Sequence, residues 1–145
     1  MVSGRCERIE DLPAAVAEVL HEARRAVMTT IDPHGAPHAV PVIFAVHEGD
    51  LVTPIDRKPK TGRTLGRRRN LEQDPRVTLL ADRWSEEWTE LAWVMVRGRA
   101  SFVPPERSGS EVAAIIARHP RYRAELEDNE VIRIAPERIS WWSWS

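Results

Sequence analysis

Apolar positions change their period several times along this chain, and each change marks an element. Leu12, Val16, Val19, Leu20 and Ala23 recur at helical spacing. They predict an amphipathic helix over residues 11–26, with Asp11 as its N-cap and Pro13 in its first turn. Residues 27–31 read as a short strand. Asp32-Pro33-His34-Gly35 is a turn, because proline suits its second position and glycine its fourth. Residues 38–46 read as the next strand. Its run of Val40, Val42, Ile43, Phe44 and Val46 predicts cover on both faces, while Pro41 marks an edge or a bulge. Glu48-Gly49-Asp50 makes a second tight turn into a strand over residues 51–55, with Gly49 free to take positive φ.

Further along, Leu65 and Leu71 predict a short helix over residues 61–73, stopped by Asp74-Pro75. Residues 76–81 form a buried type of strand. Residues 82–90 are an acidic, tryptophan-bearing loop or hairpin. Residues 91–103 make a long strand with Gly98 at a bend or bulge, closed by Pro104-Pro105. Ser110 can cap a helix carrying Val112, Ile115 and Ile116 that breaks near Pro120. Residues 131–134 and 139–144 form a last strand pair or one interrupted strand. About six strands in hairpin order with inserted helices predict a mainly β (α+β) protein, a small antiparallel barrel with helical additions. A parallel sheet is disfavoured, because tight turns cannot make crossovers.

Charge sharpens this picture. The 145 residues carry a formal net charge of −1, yet Arg57, Lys58, Lys60, Arg63, Arg67, Arg68 and Arg69 crowd one segment that holds no acidic residue. That segment directly follows a predicted strand. Such a local field calls for an anionic partner or for water, and ligand phosphates and carboxylates suit it. A solvated basic helix face is the plain alternative. The segment contains no aromatic residue and the pI is near 6.5, which argues against nucleic-acid binding. Cys6 is the sole cysteine, so an internal disulfide and a thiolate cluster are excluded. No apolar run approaches a membrane span, and the cytoplasm is the expected location. Length and composition are those of one domain, residues 1–145.

Candidate chemistry narrows further. His34 and His38 are separated by a turn and Pro37, and no carboxylate pattern completes a metal site with His47. Residues 59–64 have the look of a phosphate loop but fail the Walker pattern. No nucleophile elbow is present. Six tryptophans fall in two groups, Trp84, Trp88 and Trp93, then Trp141, Trp142 and Trp144. Large aromatics so placed suit a core seal or a subunit interface.

The order of motifs resembles the pyridoxamine 5′-phosphate oxidase-like split-barrel superfamily, most of all its branch of oxidoreductases that use coenzyme F420. The matching pieces are Thr29-Thr30, the D-x-x-G-x-P-H turn at residues 32–38, V-P-V at residues 40–42, Thr53-Pro54, Lys58-Pro59-Lys60, Arg67 to Asn70, Asp74-Pro75-Arg76-Val77, Gly98-Arg99-Ala100 and the closing I-S-W-W-S-W. The resemblance implies a Greek-key split barrel, a homodimer, and a flavin-like ring in a groove between subunits. It implies Lys58, Lys60 and Arg67 as ligands of the cofactor's anionic groups, with Thr53 and Asn70 fixing its position by hydrogen bonds. FMN enzymes of the superfamily carry a basic pair on the strand where this chain has Val40-Pro41-Val42-Ile43-Phe44. F420 is therefore the expected cofactor and FMN the alternative. The activity implied is hydride transfer to a small organic acceptor, with Trp88 and Trp93 as pocket or core residues. A protein that binds F420 without turnover is the non-enzymatic alternative.

Overall fold

A computed structural model of the chain describes residues 1–55 and 66–144. Among them, the strands are β1 (Val2–Cys6), β2 (Ala26–Ile31), β3 (Pro37–Val42), β4 (Ala45–His47), β5 (Asp50–Pro54), β6 (Arg76–Arg83), β7 (Ala92–Val103) and β8 (Val131–Ser143). The helices are α1 (Ala14–Glu22), α2 (Gly66–Gln73), α3 (Gly109–Arg118) and α4 (Arg123–Leu126), with four short 3-10 turns. The strands form one sheet in the order β3-β2-β6-β7-β8-β5-β4, and β1 adds to β8. Every pairing is antiparallel. The sheet wraps into the small antiparallel barrel that the hairpin order predicts, in the split form that the resemblance implies.

Strand register explains the two faces. Met28, Leu79, Val96 and Ile139 stand opposite one another across β2, β6, β7 and β8, and all are buried. One residue along, Thr29, Thr78, Arg97 and Arg138 form the next row. Side chains alternate faces along a strand, so this row faces outward. The outer row beyond it is apolar, with Val27, Leu80 and Met95 in register. α1 covers the barrel interior with Val16, Val19 and Leu20. α3 closes a smaller cluster of Ala45, Val52, Ile115, Leu126 and Val131.

Several elements depart from the sequence reading. The first helix is shorter than residues 11–26. Leu12 precedes a proline and is held extended, at φ −66° and ψ 140°, so the helix starts after Pro13 and Asp11 is not its cap. It ends at Glu22, where Arg118 takes the carbonyls of His21 and Ala23 at 2.6 and 2.7 Å. Arg24 thus lies outside the helix, in the bend before β2. The apolar run 38–46 is two strands. β3 is the edge of the sheet, as Pro41 foretold, and one face of it is open. The break lets Phe44 turn fully into the core. Ser108, not Ser110, occupies the N-cap position of α3, and its hydroxyl donates to the Asn129 carbonyl at 2.5 Å. β1 has no counterpart in the sequence reading. Residues 131–143 are one continuous strand.

Two turns and one bulge follow the glycines. Asp32 and Ala36 close the first hairpin turn, with Gly35 at φ 80°. Glu48 and Gly49 both take positive φ, 50° and 81°, which is the mirror-image turn favoured in two-residue hairpins. At Gly98 the β7–β8 register shifts, and a Cβ there would collide with the Ala135 carbonyl.

Candidate functional site

The end of β5 and the start of α2 come together at one groove. Thr53 and Pro54 line it from β5, Arg67 from α2, Pro41 and Val42 from the far end of β3, and Ile43 from just beyond it. Its fourth side is Tyr122, Glu125, Leu126 and Asn129, from the segment between α3 and β8. The cavity measures about 380 Å³, inside the range of roughly 300–1,000 Å³ common for small-molecule pockets. The strand that leads into the basic segment and Arg67 within that segment therefore border the same groove. Lys58 and Lys60 lie outside the described residues.

Local sequence explains each position. Thr53 is 1% exposed and its hydroxyl donates to the Ile43 carbonyl at 2.8 Å. This bond fixes the corner between β3 and β4 against β5. The three consecutive arginines of α2 point different ways, since successive helical residues turn by about 100°. Arg67 faces the groove. Arg68 turns back into the protein, bonding Glu72 at 2.8 Å and Glu130 at 2.9 Å, with its guanidinium 4.5 Å from the Phe102 ring centroid. Arg69 is exposed. Asn70 is buried and donates its amide to the Thr30 hydroxyl at 3.0 Å. So Thr53 and Arg67 share the groove, while Asn70 sits behind it and ties α2 to β2.

Two buried polar atoms stand beside this arrangement. Asn129 donates its amide to the Ile55 carbonyl at 2.7 Å, while its Oδ1 has no hydrogen-bond partner among the described residues. His38 Nδ1 is likewise buried without a partner among the described residues. The His38 ring also packs near the first residue of α2, 3.6 Å from where a Cβ on Gly66 would lie. Asn129 was not singled out in the sequence. Only its burial and its bond to the sequence-distant Ile55 carbonyl distinguish it from a loop asparagine.

The tryptophans divide between core and surface. Trp141 is buried in the core. Trp93 and Trp142 stand opposite each other on the outer sheet face. With Val27, Leu80 and Met95 they border an apolar depression of about 680 Å³. Trp84 and Trp88 are 74% and 69% exposed. Trp88 is in neither the core nor the groove. Among the described residues, no three of His, Cys, Asp and Glu converge as a metal site would require. No described helix is long and apolar enough to cross a membrane.

The sequence profile described as pyridoxamine 5′-phosphate oxidase matches residues 12–143, and the chain belongs to that family. No curated protein sequence matches it. Among solved structures it is similar to the conserved hypothetical protein Rv2991 of Mycobacterium tuberculosis, at 23% identity and a TM-score of 0.74, covering 92% of this chain and 86% of that one. It is also similar to an F420 reductase, at 20% identity and a TM-score of 0.65, covering 88% and 98%. A FAD-binding protein of Mesorhizobium loti shares 19% identity at a TM-score of 0.64, covering 97% of both chains. Heme-binding proteins have the fold as well.

Proposed function

We propose that this protein is an oxidoreductase that binds coenzyme F420 in the groove between β3, β5 and α2 and serves hydride transfer to a small organic acceptor. The observation that carries this reading is the shared border: Pro54, at the end of the strand that precedes the basic segment, and Arg67, within that segment, line one groove. Anionic groups of a ligand seated there face Arg67, and Lys58 and Lys60 are the proposed further ligands. Thr53 offers its hydroxyl oxygen as an acceptor. Asn70 contributes by holding α2 through Thr30.

The donor set favours F420 over FMN. The strand side of the groove is Pro41, Val42 and Ile43, with no cation. A ligand there meets apolar surface along its ring and positive charge beyond it, which suits a deazaflavin with an extended acidic tail. FMN is the second reading, and the FAD-binding neighbour keeps a flavin in view. Bound reduced F420 would supply the hydride; the protein's part is to bind, orient and shield.

A second copy of the chain completes the proposal. Val27 is 40% exposed on the outer sheet face, beside the apolar depression bordered by Trp93 and Trp142. An apolar sheet face of this kind suits burial against another subunit.

The activity test is turnover: reduced F420 with a panel of enones and quinones, following loss of the reduced-cofactor absorbance. Oxidation that depends on both protein and acceptor supports the reductase reading. Tight binding without turnover on any acceptor points instead to a protein that stores or carries the cofactor.

A further inference from the structure

Past Ile43 and Tyr122, which border both spaces, the groove adjoins a second cavity of about 560 Å³. Arg24 and Arg25 enter it from the bend after α1, and His119 and Arg121 from the segment after α3. No carboxylate is among the described residues that line it. Glu125 borders only the first groove.

Among the described residues the positive charge here has no carboxylate partner. Arg8, Arg68, Arg76, Arg83, Arg99 and Arg133 each have a carboxylate partner. Arg24, Arg25, Arg118 and Arg121 form no ion pair among the described residues. Arg118 stands in the wall, donating to the carbonyls of Phe44, His21 and Ala23 at 3.2, 2.6 and 2.7 Å. Its guanidinium lies 5.1 Å from the Phe44 ring centroid. Carbonyls satisfy its N–H groups but leave its charge in place. Burial, then the charge of Arg24, pull its pKa below the ordinary arginine value. His119 is 5% exposed, and its Nε2 has no hydrogen-bond partner among the described residues. Burial and the charges of Arg24 and Arg118 lower its pKa, against a hydrogen bond to the Phe44 backbone. Like charges gathered without counterions repel, and an anion relieves that repulsion. Guanidinium groups match carboxylates by two parallel hydrogen bonds.

We propose that this second cavity is an anion subsite, built by Arg24, Arg25 and Arg121 over the fixed charge of Arg118, which takes a carboxylate of the ligand held in the adjoining groove. The inference rests on the cofactor reading above for the identity of that ligand. The carboxylate has two sources, the acidic tail of F420 or a separate carboxylate substrate.

The test compares the native protein with the combined variant R24Q/R25Q/R121Q, and with R107Q as a surface control. All three replaced side chains are exposed, so the fold is expected to persist, which a thermal melt checks. The probes are F420 with long and short glutamate tails, the deazaflavin riboside lacking phosphate and tail, free γ-linked tetraglutamate, and succinate. Expected for a tail subsite, the native protein prefers the long-tailed over the short-tailed form by roughly tenfold or more, and the variant loses that preference. Tetraglutamate binding should weaken at high salt and in the variant. Succinate binding lost in the variant, with no effect of tail length, assigns the subsite to a substrate. Binding of tetraglutamate without binding of any F420 form upholds the subsite and refutes the cofactor reading. If the variant matches the native protein and R107Q for tetraglutamate, succinate and tail length alike, the subsite does not exist, even where the riboside binds both.

Discussion

Asn70 on α2 donates its side-chain amide to the hydroxyl of Thr30 on β2, 3.0 Å away, with both side chains buried. This bond fixes the basic helix to the sheet across forty residues of sequence. It therefore sets where Arg67 meets the groove. Asn70→Ala should destabilise the protein by about 1–3 kcal/mol, because it strands a buried hydroxyl. Denaturant unfolding measures the loss. Thr30→Val paired with Asn70→Leu should cost less than the two single changes added together, as expected for partners in contact. Strict additivity would show that the bond does not couple them.

How much of this was legible beforehand follows from the kind of signal involved. β2, β5, β6 and β7 were readable because apolar alternation and turn residues agree there. The Glu48-Gly49 hairpin was readable from its turn residues. β1 was not, because VSGRC shows no clean alternation; it pairs with β8 where Gly4 leaves room for the Trp141 ring. The run Val40 to Val46 looked like one doubly covered strand. Composition cannot reveal that the chain turns a corner at Ile43 and Phe44, which is fixed by Thr53 and Arg118 from elsewhere. For the groove, the basic segment was visible as charge. That Arg68 pairs with Glu130 while Arg67 faces the groove depends on helix phase and on β8's approach. Tyr122 and Asn129 reach the groove through tertiary packing alone.

Gly98 tests the barrel's closure. A methyl group there would collide with the Ala135 carbonyl where the β7–β8 register shifts. Gly98→Ala should cost about 2–3 kcal/mol, since backbone must move to admit it. Gly109→Ala, where nothing stands within 4 Å, should be close to neutral, and chemical denaturation of both variants gives the comparison.

Arg133 organises the acidic end of the barrel, bonding Asp50 at 2.6 Å, Glu111 at 3.0 Å and Glu48 at 3.4 Å. Burial alone would raise the Glu111 pKa, but hydrogen bonds from its own backbone, Ser110 and Arg133, with the charge of Arg133, hold it below the usual carboxylate range. Its folded pKa lies below its unfolded one. The stabilisation is thus complete above the unfolded value and is lost as pH falls through the folded value. Arg133→Met should destabilise by about 2–3 kcal/mol, the carboxylates being only partly shielded from water. It should also flatten the acid limb of the stability–pH curve, which melting temperatures from pH 7 downward will show.

The exposed apolar face predicts association. Sedimentation at micromolar concentration should give a dimer mass, and Val27→Glu, on the outer sheet face, should shift it toward monomer without unfolding the barrel. A monomer in the native protein would leave the apolar depression between Trp93 and Trp142 unexplained.

The most direct test of the account is the dissociation constant of F420 and of FMN for the native protein and for Lys58→Ala, Lys60→Ala and Arg67→Ala, at two salt concentrations, with Arg107→Ala as control. Charge-assisted contacts contribute about 1.5–3 kcal/mol each, so each substitution should weaken F420 binding roughly 10- to 150-fold. The effect should shrink at high salt, because partly exposed charges are screened. Native protein should prefer F420 to FMN, and Arg107→Ala should behave as native. Tight FMN binding with none of F420, or three variants that bind F420 as the control does, would contradict the placement of an F420 site in the groove between Thr53 and Arg67.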